Sequence, residues 1–208
     1  MKLVLASDLH GYLPKIPPCD TLVLAGDILP DTDQFEFVRD KLSSWLDNVP
    51  AMNVVATWGN HDWLPFIGQG HSLTIPWTLL LDQSLKVGNT LFYGTPWCLP
   101  SSSYSKWAWQ APESSLEKLY AGIPNETDVL ICHTPPYGIC DLNYDRVHVG
   151  SRALKSRIEH LPRLKLLVCG HIHEARGQVG NIVNAAVLDR FYQPYRQGLI
   201  EREMWESL

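Results

Sequence analysis

Two histidines one residue apart, His171 and His173, follow an apolar run in "KLLVCGHIHE". Near the other end of the chain, "KLVLASDLH" places Asp8 and His10 at the same spacing after another such run. In an extended segment residues two apart point to one side, and neutral imidazole is the commonest side-chain metal ligand near neutral pH. Each pair could therefore offer two ligands to one ion. Taken alone, such a pair is more often a structural histidine beside an exposed one, so the reading rests on what else the chain brings to the same place.

Three further apolar runs end the same way. "TLVLAG" leads into Asp27, "NVVATWG" into Asn60, His61 and Asp62, and "DVLIC" into His133. Runs that are leucine-rich or β-branched without alternation read as strands buried on both faces. In open α/β sheets the strand ends converge on one crevice where ligands bind. A hydrophobic core needs no polar residue at the end of every strand. Asp8, His10, Asp27, Asn60, His133, His171 and His173 together offer carboxylate, amide and imidazole atoms. That mixture suits borderline divalent ions; with no thiolate it is unlike a structural zinc cluster, and it does not suit Ca or Mg alone. Seven ligands exceed the need of one ion, and two ions roughly 3.5–4 Å apart would share them. The expected cofactors are two divalent transition-metal ions, Mn ahead of Fe, Zn, Co or Ni.

The elements that must position these residues are legible as a pattern. Strands are expected at 2–6, 21–26, 53–58, 128–132 and 165–169, and a more alternating, hairpin-prone set at 78–81, 84–87, 90–94 and 179–186, with "VGNT" (87–90) as turn chemistry. A helix is predicted over 33–48, with Phe35, Val38, Leu42, Trp45 and Leu46 on one stripe and Asp33 with Glu36 as its capping pair. Shorter helices are predicted over 113–121 and 151–160, the latter capped by Ser151 and stopped by Pro162. Alternating strands and helices around a hairpin-rich middle imply two packed sheets with helices outside.

With 208 residues, 45% hydrophobic and 19% charged, the chain suits one domain, 1–208, with a full core. A net charge of -5 argues against a broad basic surface for extended nucleic acid, yet not against small phosphorylated or nucleotide substrates, since bound cations add positive charge. Five cysteines without a CxxC pair, and no stretch able to span a membrane, point to a cytoplasmic protein with no membrane partner. A homo-oligomer is left open.

The ordered set Asp8-x-His10, Gly26-Asp27, Gly59-Asn60-His61-Asp62, His133 and Gly170-His171-x-His173 resembles the calcineurin-like metallophosphoesterases across nearly the whole chain. "HTPPYGICD", "HVGS", "GHIHEARG" and "GTPW" followed by "WAW" are similar to the small branch that includes the brain metallophosphoesterase-domain proteins, which are class III cyclic nucleotide phosphodiesterase-like. "GDILPDT" and "GNHD" depart from the serine/threonine protein phosphatases, which carry an arginine in the first motif and glutamate in the second. The resemblance implies an α+β, four-layer α/β/β/α sandwich of two mixed sheets. It implies Asp8, His10, Asp27 and His173 around one ion, and Asp27 as bridge with Asn60, His133 and His171 around the other. The implied activity is hydrolysis of phosphodiesters, cyclic nucleotides among them, by in-line attack of a hydroxide shared between the ions. A nuclease, a phosphomonoesterase and a partner-binding scaffold are the alternatives; the filled ligand set disfavours the scaffold.

Within that scheme His61 is the expected proton donor to the leaving alkoxide, and Asp62 is expected to orient His61 or its loop, with a helix cap as the alternative. His148 is a candidate contact to phosphate or base, weighed evenly against simple exposure. Tyr137, Trp97, Trp107 and Trp109 could stack a nucleobase, a core or oligomer contact being favoured for any single tryptophan. Glu174 reads equally as support for a ligand or as solvated surface.

Overall fold

The computed structural model describes residues 1–68, 75–100 and 107–204. In chain order its strands are β1 (Lys2–Ala6), β2 (Cys19–Ala25), β3 (Ala51–Thr57), β4 (Thr78–Leu79), β5 (Gln83–Val87), β6 (Thr90–Thr95), β7 (Val129–Cys132), β8 (Leu166–Cys169), β9 (Gly177–Val179), β10 (Ile182–Asn184) and β11 (Ile200–Glu203). Its helices are α1 (Gln34–Phe37), α2 (Ser43–Asp47), α3 (Trp63–Phe66), α4 (Glu113–Ala121) and α5 (Arg152–Ile158), with a π-helical turn, Val38–Leu42, joining α1 to α2.

Two mixed sheets result. One has the order β11-β1-β2-β3-β4, the other β5-β6-β7-β8-β10-β9. In the first, β1 to β4 run parallel and β11 is an antiparallel edge. In the second, β6, β7, β8 and β10 run parallel, with β5 and β9 antiparallel at the two edges. A parallel bridge from Ser7 to Ala186 ties the ends of β1 and β10 together.

Strand parity assigns the layers. Leu3, Leu5, Val23 and Ala25 turn inward against Phe92, Ile131, Val168 and Val183 of the other sheet. Their neighbours Val4, Ala6, Leu22 and Leu24 turn outward onto Phe37, Val38, Leu42 and Leu46. On the far side Leu130, Cys132 and Leu167 pack under Leu116 and Tyr120 of α4 and Leu154 of α5. Both faces of each central strand are thus dry, which is why these runs lack polar alternation. Each fully buried leucine, valine or phenylalanine contributes roughly 1.5–3 kcal/mol. The four layers are helix, sheet, sheet, helix, as the resemblance implies.

Four local expectations need correction. Residues 78–81 do not join a hairpin: β4 pairs parallel with β3 in the first sheet. Residues 179–186 are not one strand, because Gly180 (φ +59°) turns the chain between β9 and β10. Phe35 is 37% exposed while Phe37 is buried; the wider π turn shifts the stripe that precedes it. Asp33 gives α1 no side-chain cap, since its φ of 57° and ψ of 34° differ from the extended conformation that aims a capping oxygen at the first turn. Ser151 does cap α5, accepting from the Leu154 N–H, and Glu113 accepts from the Ser151 hydroxyl and the Ala153 N–H.

Candidate metal centre

The parallel strands of both sheets point their C-terminal ends at one cleft, and the polar residues follow those ends directly. Asp8 follows β1, Asp27 follows β2, Asn60 and His61 follow β3, His133 follows β7, and His171 follows β8. Asp8, His10, Asp27 and His171 adopt left-handed backbone, with φ of 55°, 42°, 52° and 68°. Such conformations are uncommon outside glycine and cluster where function requires them. Backbone bonds hold the turns: Asp8 N–H donates to Gly26 O at 3.0 Å and His10 N–H to Asp27 O at 2.9 Å. Glycines let the loops approach. A Cβ on Gly170 would collide with the Asp8 carboxylate and the Ser7 hydroxyl, and one on Gly26 would strike the His133 ring.

Three ligand groups form: Asp8, His10 and His173; His10, Asp27 and His61; and Asp27, His133 and His171. In each, one ligand atom per residue lies within 4.8 Å of the others. The first and third fall within the two sets that the resemblance implies, and Asp27 stands between them, its Oδ2 3.3 Å from His133 Nε2 and 3.8 Å from His10 Nε2. Those sets keep His171 and His173 on different ions, and the simpler picture of two neighbours serving one ion from an extended segment does not hold. The left-handed turn at His171 separates them, and each joins a different group.

The donor chemistry fits two cations. His133 Nδ1 donates to Ala25 O at 2.9 Å and His173 Nδ1 to Asp189 O at 3.0 Å, which turns both Nε2 atoms inward. There, His173 Nε2 meets His10 Nε2 at 3.2 Å and Asp8 Oδ1 at 3.3 Å, while His133 Nε2 lies 3.0 Å from Asn60 Oδ1. Lone pairs and carboxylate oxygens directed at one another, away from water, need positive charge between them. Burial alone would lower His133 and His173, yet Asp27 and Asp8 respectively outweigh it and push each up to about 9. Burial would raise Asp8, but His173 holds it down to about 2, and Asp27 is likewise held low by His133. His171, buried beside His133, falls to about 4. Without metal the site thus gathers protons in the place of cations.

His61 lines the cleft beside Asp27 and Asn60, its side chain 16% exposed. Its N–H donates to Asp27 Oδ1 at 2.7 Å, and its Nδ1 faces Asp31 Oδ1 at 2.7 Å. Trp107 stacks on its ring at 4.1 Å. Asp62 serves the loop rather than the His61 ring. Its buried carboxylate accepts from Ile28 N and Leu29 N at 3.0 and 2.8 Å and from Gly59 N at 2.7 Å, locking the Asp27 loop to the Asn60 loop. Burial and the Asp27 charge push its pKa up to about 8, against the Leu29 and Gly59 donors. Gln34 braces the same corner, donating to His61 O at 2.7 Å.

The other candidates separate. Glu174 lines the cleft and accepts from Tyr144 N at 2.6 Å. His148, bound to the buried Asp141 at 2.6 Å with Tyr137 5.6 Å from its ring, lines a neighbouring cavity that shares Glu174. Tyr137 carries Arg152 over its ring, and Trp97 donates to Asp82; neither is among the described residues lining the cleft. Trp109 packs against Phe66 and Trp97. Four site residues went unread: Asp31, Gln110, Arg190 and Tyr192. The last two follow β10, a sixth strand ending at the same edge. Reading "NIVN" as a parallel strand would have pointed to them.

Comparison with known proteins agrees with this geometry. The family model for calcineurin-like phosphoesterases matches residues 1–175. The chain is similar to the uncharacterized protein MJ1162 of Methanocaldococcus jannaschii, 30% identical over 96% of this chain and 94% of that protein. It is also similar to human metallophosphoesterase domain-containing protein 1, 27% identical over 96% of this chain and 70% of that one. In fold it is similar to TT1561 of Thermus thermophilus, with a TM-score of 0.62 over 89% of this chain and 88% of the other at 12% identity. The chain belongs to the calcineurin-like phosphoesterase family.

Proposed function

We propose that the protein is a metal-dependent phosphoesterase that prefers phosphodiesters, cyclic nucleotides among them, and works with two divalent ions, Mn first. Metal-dependent phosphoester hydrolysis is the chemistry of its family. The observation that carries the reading is Asp27, a buried carboxylate between His10 of one ligand group and His133 of the other. Asp8, His10, Asp27 and His173 would hold one ion, and Asp27, Asn60, His133 and His171 the other. Two such ions lower the pKa of a water between them and neutralise charge on the phosphoryl oxygens.

The remaining work falls to side chains. His61, with Nδ1 bound to Asp31, keeps Nε2 for the proton passed to the leaving alkoxide. Trp107 covers one face of that ring and limits water there. The cavity lined by His148 and Tyr144 shares Glu174 with the cleft, which supports a place for the second ester arm of a diester. Among the described residues no helix is long and apolar enough to cross a membrane, and all five cysteines are free. Free thiols support a reducing, cytoplasmic setting.

A substrate screen with Mn-loaded protein tests the reading. Bis(p-nitrophenyl) phosphate and a panel of cyclic nucleotides should turn over faster than p-nitrophenyl phosphate. Preference for the monoester would replace the diesterase by a phosphomonoesterase.

A further inference from the structure

Arg190 has no part in the ligand set, yet it lines the cleft with Asp27, Asn60, His61, His171 and His173. Among the described residues lining that cleft it is the one lysine or arginine. None of its guanidinium nitrogens hydrogen-bonds or pairs with another described residue. Its position is held all the same. The guanidinium carbon lies 3.7 Å from the Tyr144 ring centroid and 4.8 Å from that of Phe191.

Both aromatic rings belong to residues 69% exposed, so burial does not account for their position. Both are fixed from behind. Tyr144 N–H is held by Glu174 at 2.6 Å. Phe191 sits in a turn closed by Asp189 Oδ1, which accepts from Phe191 N and Gln193 N at 2.8 and 2.9 Å. The Asp189 carbonyl accepts from Nδ1 of the ligand His173 at 3.0 Å, joining the turn to the metal group. A guanidinium seated over aromatic faces and free of other partners keeps N–H donors for a two-oxygen acceptor.

We propose that Arg190 binds the non-bridging oxygens of the substrate phosphate beside the metal centre, with Tyr144 as the positioning residue that holds it in place. The assignment rests on the phosphoesterase reading for its substrate. The donors are carried ready-made, so little side-chain freedom is lost on binding.

Calorimetry with inorganic phosphate on metal-loaded protein tests this apart from turnover. Arg190→Ala should weaken phosphate binding by roughly ten- to a hundredfold, the scale of a lost charge-assisted pair. Arg190→Lys should recover part of it. Tyr144→Ala should weaken binding by roughly three- to tenfold, with no added effect in an Arg190→Ala background, and Tyr144→Phe should bind as the wild type. Unchanged phosphate affinity in Arg190→Ala overturns the proposal even where esters are hydrolysed. Weakened affinity in a protein that hydrolyses no ester upholds the phosphate site and overturns the phosphoesterase reading instead.

Discussion

His61 Nδ1 and Asp31 Oδ1 stand 2.7 Å apart, although 30 residues separate them. They meet because β2 and β3 are parallel neighbours whose following loops run side by side. The aspartate adjacent in sequence, Asp62, is turned away to bind three backbone N–H groups. The pair orients the ring, as a carboxylate does behind a catalytic imidazole.

His61→Ala should keep metal and fold while losing turnover by roughly 10²–10⁴-fold on alkoxide leaving groups, and far less on p-nitrophenolate, which needs no proton. Asp31→Asn should lose about tenfold on the same poor leaving groups and nothing further in a His61→Ala background. Equal losses on good and poor leaving groups would remove the proton-donor role.

Asp62→Ala should destabilise the protein by about 3 kcal/mol or more, because three N–H groups around a buried carboxylate lose their acceptor. Thermal melts of metal-loaded protein measure this. A change under about 1 kcal/mol, the net worth of a single ordinary hydrogen bond, would mean the loops do not depend on Asp62.

Much of the centre is legible in the sequence because it is local: each ligand lies within a few residues of an apolar run, and apolar runs announce strands. Asp31 is not legible there, since its pairing with His61 depends on β2 and β3 being neighbours in the sheet. Arg190 and Tyr192 are hidden because β10 is only three residues long and reads as half of a hairpin. The left-handed turn at His171 leaves no mark, because histidine spacing reports distance along the chain and not backbone handedness.

The pH behaviour of metal-free protein has a definite sign. His133 and His173 are raised to about 9, so their contribution is full below the ordinary histidine value of 6.5 and is lost as pH climbs through about 9. Asp8, lowered from 3.8 to about 2, contributes above 3.8 and loses that as pH falls toward 2. His171, lowered to about 4, opposes folding increasingly as pH drops below 6.5. Metal-free protein should therefore melt at lower temperature at pH 9 than at pH 6.5. Metal affinity should rise over the same window as His133 and His173 release protons. Flat metal affinity from pH 6.5 to 9 would contradict the assignment of those two ligands.

Gly170→Ala should cost the protein a metal ion, since the added methyl displaces the Asp8 carboxylate and the Ser7 hydroxyl. Elemental analysis should find the loss while circular dichroism still reports the sandwich. Full metal content with unaltered activity would show that the approach of the two loops is not needed.

The most direct measurement is the initial rate of bis(p-nitrophenyl) phosphate hydrolysis as Mn²⁺ is returned to chelator-stripped protein. Stripped protein should show no rate, the rate should rise to a plateau near two ions per chain, and Asp27→Asn, which lacks the bridging carboxylate, should show no rise. Hydrolysis by stripped protein, or full activity in Asp27→Asn, would contradict the two-ion centre.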